Sequence, residues 1–155
     1  MWLRKANVCC EIWESDQHKD CLVGSHDGYA GLTDPVIHRR KIEFLKDEGM
    51  VLVEDILECA KEHDIEFNWH FAETCEMLVD QGKVLATSAN VRLEMTMPDS
   101  NCKPELVIGR EAAPSGWISH RLDEKVPLPT ITWREKITGT TRRLTILRIV
   151  TGYNA

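Results

Sequence analysis

Apolar side chains recur at every second position along most of this chain, and no other feature limits its fold so sharply. In "IEFNWHFA", Ile65, Phe67, Trp69 and Phe71 alternate with Glu66, Asn68 and His70. A strand turns successive side chains to opposite faces, so this spacing predicts a β-strand with one wet face, as antiparallel sheets allow. "VIHRRKIEFL" sets Val36, His38, Arg40, Ile42 and Phe44 on one face and Ile37, Arg39, Lys41, Glu43 and Leu45 on the other. After a "KDEG" turn, "MVLVEDIL" makes the hairpin partner, with Val51, Val53, Asp55 and Leu57 alternating against Met50, Leu52, Glu54 and Ile56. His38 and Arg40 thus fall on an apolar face and need partners, and Asp55 on the adjacent strand is the first candidate.

The same period continues downstream. "EMLVDQGKVLATS" forms a hairpin around Gln81-Gly82, and "NVRLEMTM" turns Val91, Leu93, Met95 and Met97 inward. Further strands are "ELVIGR", "TITWREKI" and "RRLTILRIV", the last two bracketing Gly139. Only "EDILECAKEH" has helical composition, and pairing with the strand before it overrides that preference. About nine to ten strands with frequent turns and little or no helix predict an all-β fold, an antiparallel β-sandwich. A length of 155 residues suits a single domain over 1–155 with one core. Long loops are expected from Ser15 to Asp27, from Asp99 to Pro104, and in "PSGWISHRLDEKVPLP". Trp69 and Trp133 belong to the core by alternation, whereas Trp117 lies between turn signals near the surface.

Charge narrows the function classes. Twenty-five acidic residues against 19 basic ones give a net charge of −6, so there is no global field to attract nucleic acid or an anionic membrane. Two local basic clusters, Arg39-Arg40-Lys41 and Arg142-Arg143, read as solvated strand faces. No apolar run reaches the roughly 20 residues of a membrane span, and "MWLRKANVCCEIWE" lacks the apolar centre of a signal peptide. Strand-like sequence so soon after Met1 suggests a piece of something longer. The six cysteines include no Cys-x-x-Cys pair and are expected to be mostly buried, reduced thiols, with one of Cys9 and Cys10 turned inward.

The densest group of reactive side chains is "GSHDGYAGLTDPVIHRR". Asp27-Gly28 marks a turn, and His26 and Tyr29 beside it have the chemistry of an acid and a base. The plainer reading gives both to backbone hydrogen bonds at a sheet edge. His38, Asp55 and His70 could supply a metal with imidazole and carboxylate ligands, but strand parity sets His70 on the opposite face from the other two. Asp16, His18 and Asp20 in "SDQHKD" lack the glycine and closing glutamate of a calcium loop. There is no nucleophile elbow, P-loop or dinucleotide-binding glycine pattern.

Taken in order, "SHDGYAGLTDPVIHRRKIEF", "VLVEDIL", "NWHFA" and "SGWISHRLDEKVPLPTITW" resemble the C-terminal β-sandwich of the heparinase II/III-like polysaccharide lyases, from about Ala6 to Ile146. The resemblance implies a bacterial parent enzyme that cleaves uronic-acid polysaccharides, glycosaminoglycans among them, by β-elimination. It implies an N-terminal helical toroid as partner domain, with the anionic polysaccharide in the cleft between them, and a periplasmic or secreted location. In the family, reactive residues come from the toroid, and a His-x-His segment upstream supplies a sandwich histidine and metal ligands. No His-x-His occurs here. The expectation is therefore no catalytic residue and no cofactor in this chain, which would be inactive alone. His26, Asp27, Tyr29, His38, Arg39, Arg40, Asp55, His70 and Trp117 are then motif positions that support the cleft. The alternative is a carbohydrate-binding or subunit-interaction module centred on Trp117.

Overall fold

A computed structural model describes residues 5–150, in which eleven strands and no helix occur. β1 (Val8–Ser15), β2 (Lys19–His26), β3 (Ile37–Leu45) and β4 (Met50–His70) form an antiparallel meander. β5 (Glu76–Asp80), β6 (Lys83–Ser88) and β7 (Val91–Thr96) form a second. β11 (Thr130–Val150) joins them, giving the order β1-β2-β3-β4-β11-β7-β6-β5, and β8 (Glu105–Val107) adds to the other half of β11. β9 (Trp117–Ile118) and β10 (Val126–Pro127) make a separate two-stranded ribbon.

β4 and β11 are 21 residues each. Straight, such strands would run about 70 Å at the usual rise, whereas a domain of this size has a radius of gyration of about 15 Å. The hairpin must bend, and its ladder slips where it does. His63 faces Ile137 and Cys59 faces Gly139, so three residues of β4, Ala60, Lys61 and Glu62, stand against Thr138 alone. Gly139 takes a φ of 67°, which a side chain would resist.

Past this bulge the far half of the hairpin turns back over the sheet it came from. Phe67, Ile131 and Trp133 from the far half share one buried cluster with Leu57, Val84 and Met95 from the near half and from β6–β7. The sandwich is one continuous sheet folded on itself, and the period-two pattern reads through the fold because both layers keep the same pleat.

Several expectations change. "VLVEDIL" and "IEFNWHFA" are one strand, as are "TITWREKI" and "RRLTILRIV" around Gly139. Much of the loop expected from Ser15 to Asp27 is β2, whose inward pattern rests on Cys21 and Val23 before Gly24 and Ser25 interrupt it. Its ladder to β1 and β3 supplies what the local pattern lacks, and the Asp16 carboxylate caps the short turn through the His18 and Lys19 N–H groups, each at 2.7 Å. β1 is exposed on both faces, so neither Cys9 nor Cys10 points inward, and of the six free cysteines only Cys21 is buried. Val91 opens β7 beside a turn and is exposed, whereas Met95 and Met97 are buried.

Candidate functional site

The β3–β4 register sets Arg40 opposite Asp55, and the β2–β3 register sets His26 opposite His38. One row of side chains across three strands therefore gathers His26, His38, Arg40 and Asp55. The Asp55 side chain is 1% exposed. Arg40 grips it with Nε on Oδ1 at 2.7 Å and Nη2 on Oδ2 at 3.0 Å, and His38 Nε2 meets Oδ1 at 2.6 Å. Burial alone would raise the Asp55 carboxyl, but the hydrogen bonds and charge of His38 and Arg40 outweigh it and hold the group below its ordinary value. Asp55 is an ionised acceptor.

That assignment fixes the protons along the row. His38 donates from Nε2 to the carboxylate, so its Nδ1 is free to accept from His26 Nε2, 3.0 Å away. The Gly28 N–H donates to His26 Nδ1 at 3.1 Å. With the Gly28 N–H on its Nδ1, His26 donates from Nε2, and no ring nitrogen of the pair lacks a partner. Burial, followed by the neighbouring His38, lowers the His26 pKa. Every ring nitrogen of the pair is engaged inside the protein, and none is left to take a proton from a substrate.

The remaining candidates flank this row without entering it. Asp27 clips the start of the described chain through Asn7, whose backbone N–H and side-chain amide each donate to its carboxylate at 2.7 Å. Tyr29 is half exposed and sets its ring edge against His26 with centroids 5.3 Å apart. Arg39 points to the opposite face and pairs with Glu11. Arg40 reaches over the Trp69 ring, 5.8 Å from its centroid, tying the ion cluster to the folded-over layer.

His70 lies at the far end of β4 and bonds Thr130 Oγ1 at 2.9 Å. His38, Asp55 and His70 do not converge, and Asp55 is committed to a guanidinium. With no His-x-His in the sequence, these residues do not make up the ligand set of the metal that the resemblance implies. His70 instead borders an open groove of about 920 Å³ with Asn68, Arg110, Trp117 and Arg134. There the Trp117 indole N–H donates to the Arg110 carbonyl at 3.0 Å, and Lys125 Nζ sits 4.2 Å from its ring centroid. Gly116 turns the chain into this groove with φ 75°, and a Cβ on it would lie 2.8 Å from the Val107 carbonyl oxygen.

Both basic clusters are internally neutralised. Arg39 pairs with Glu11, Arg40 with Asp55 and Lys41 with Glu43, while Arg142 pairs with Glu54 and Arg143 with Glu135. The groove arginines are paired as well, Arg110 with Glu105 and Arg134 with Glu66 and Glu105.

A cluster that sequence reasoning missed lies at the bulge, where Asp34, Cys59 and His63 place one ligand atom each within 4.8 Å of one another. No local pattern announces it, since the slip depends on β11. The only signal is Gly139 on the partner strand.

Fold and site define an all-β sandwich module whose ionisable groups are satisfied mostly by one another. Residues 1–151 match the family model "Heparinase II/III-like, C-terminal", and the chain belongs to that family. No curated protein sequence matches it. Among solved structures, the heparan sulfate lyase HepC from Pedobacter heparinus superposes with a TM-score of 0.77 at 16% identity, covering 96% of this chain and 22% of that one. A heparinase III superposes at 0.72 with 15% identity, covering 94% and 22%. A heparinase III with methylated lysines superposes at 0.70 with 12% identity, covering 94% and 21%. At such identities the likeness is one of fold, and the chain spans about a fifth of each of those lyases.

Proposed function

We propose that this chain is the sandwich portion of a lyase that cleaves uronic-acid polysaccharides by β-elimination, and that it supports the cleft without moving protons itself. In that reaction a base takes the proton from the carbon beside the uronate carboxylate, a cationic or hydrogen-bonding group holds the enolate-like charge, and an acid protonates the leaving oxygen. The observation that carries the division of labour is the closed row of His26, His38, Asp55 and Arg40, where every ring nitrogen and the guanidinium already have partners. Neutralised basic clusters add to it, because a polyanion needs clustered positive charge and the arginines of both clusters and of the groove already face carboxylates of this chain. An upstream domain, a helical toroid in the family it belongs to, would supply the reacting groups and that charge.

The test is the ultraviolet absorbance of the unsaturated uronate product, with heparan sulfate, chondroitin sulfate, hyaluronan and alginate as substrates. The chain alone is expected to give no turnover and the longer protein to give it. Turnover by the chain alone would sink the proposal. A stand-alone carbohydrate-binding module has only the Trp117 groove in its favour. Lys125 already covers that indole, so titration of the chain with uronate oligosaccharides is expected to show no affinity that Trp117→Ala removes.

A further inference from the structure

Cys59 and His63 are four residues apart on β4, a separation of about 13 Å in a regular strand. The bulge opposite Gly139 contracts that span, and a donor atom of each comes within 4.8 Å of the other and of Asp34. Asp34 arrives from a different element, the loop before β3, where Pro35 holds the preceding residue extended and Val36 is anchored in the core. Its Oδ2 accepts from the Lys61 N–H at 2.8 Å, a donor that the slipped ladder has released, and from His63 Nε2 at 2.8 Å. The Cys59 thiol donates to the Gly139 carbonyl at 3.7 Å.

Three features distinguish this cluster from an ordinary hydrogen-bonded turn. The donors are a sulfur, an imidazole nitrogen and a carboxylate oxygen, the set that borderline-soft divalent ions select. The His63 and Asp34 side chains are 21% and 12% exposed, so the site is largely dry yet open on one side. Among the described residues no lysine or arginine lies within ion-pair distance of Asp34. A thiolate and a carboxylate would together balance a divalent charge.

We propose that Asp34, Cys59 and His63 bind a thiophilic divalent cation, zinc foremost, with solvent in the fourth position. On binding, the S–H bond of Cys59 breaks and its proton passes to solvent, the proton that His63 Nε2 donated to Asp34 is exchanged through solvent to Nδ1, and the thiolate and the freed Nε2 join the ion; no redox change is involved. The ion replaces the His63–Asp34 hydrogen bond and pins the loop before β3 to the point where the long hairpin folds over. This site is separate from the closed histidine row and does not depend on the lyase assignment.

Full-length protein, reduced and stripped of metal, is titrated with Co²⁺ and then Zn²⁺. Co²⁺ is expected to give a thiolate-to-cobalt band in the near ultraviolet that Zn²⁺ abolishes. Cys59→Ser is expected to remove that band, and His63→Ala to weaken binding at least about tenfold. Because either variant could fold poorly, and because metal bound elsewhere in a longer protein would confuse stoichiometry, the deciding measurement uses the unaltered protein. Iodoacetamide labelling read by peptide mass should slow several-fold at Cys59 when Zn²⁺ is present, while Cys9 and Cys10, both exposed, label at unchanged rates. Equal labelling of Cys59 with and without Zn²⁺, or a cobalt band that survives Cys59→Ser, would overturn the proposal.

Discussion

Four histidines meet a carboxylate among the described residues, and the two pairs that are mostly buried have opposite characters. At His38–Asp55 the carboxylate is fully buried, a guanidinium neutralises it, and a second imidazole completes the row. At His63–Asp34 the carboxylate receives a backbone N–H where the first has a cation, and a thiol stands beside it. The residue pair is the same, and the neighbours decide what it does. A carboxylate already matched by an internal cation is a structural tie. One matched only by N–H donors, with a sulfur nearby, keeps its charge for an external ion.

The contrast breaks most visibly when the carboxylates are removed. Asp55→Ala takes the acceptor from the largely buried His38 ring and the carboxylate from Arg40, whose half-exposed guanidinium can turn to water, and should cost about 3 kcal/mol in urea denaturation. Asp34→Ala leaves the Lys61 N–H without its acceptor in a partly open bulge, where water can replace it, and should lower the urea midpoint by clearly less than Asp55→Ala does in the absence of metal. Equal losses would mean that the two carboxylates play the same role.

Pairing inside the first cluster sharpens the comparison further. If Arg40 and Asp55 neutralise each other, the Arg40→Met, Asp55→Leu double variant should be more stable than the sum of the single losses predicts, by about 1–3 kcal/mol. The same cycle on Asp34→Ala and His63→Ala should give a smaller coupling without metal and a larger one with saturating Zn²⁺, since binding to the folded form alone adds stability. A coupling at the second pair that ignores Zn²⁺ would place it with the first.

How legible each cluster was follows from how it is built. Strand parity set His38, Arg40 and Asp55 on apolar faces of neighbouring strands, and the Lys46–Gly49 turn fixed the register that joins them. Those three residues were readable because hairpin pairing is local. His26 was noticed for its chemistry, but its place in the row was hidden, because β2 carries only two buried side chains before Gly24 and Ser25 blur the period. The Asp34, Cys59 and His63 cluster was unreadable, since it forms only when β4 and β11, eighty residues apart at Cys59 and Gly139, pair out of step. The same long-range event turns two pairs of expected strands into two bent ones.

The smallest effect concerns pH, and it tests the direction in which protons are ordered along the row. His26 accepts from the Gly28 N–H and donates to His38, an arrangement only the neutral ring can make. Burial, followed by the neighbouring His38, holds the pKa of His26 below the unfolded value of about 6.5, and protonation would also set an N–H against the Gly28 N–H. Between those two values the unfolded chain binds more protons, and stability rises with pH. This contribution is fully present above about pH 6.5 and is lost as the pH falls through the folded value. Asp55, also lowered, adds a second loss only below about pH 4, so the two are separable. His26→Gln keeps one acceptor and one donor but cannot titrate. The drop in urea midpoint between pH 7.5 and pH 5.5 should therefore be smaller in this variant than in the unaltered protein, by less than the effect of Asp34→Ala. An equal drop in both would mean that the row is not held neutral at His26, and the reading of it as a closed tie would fail at its outer end.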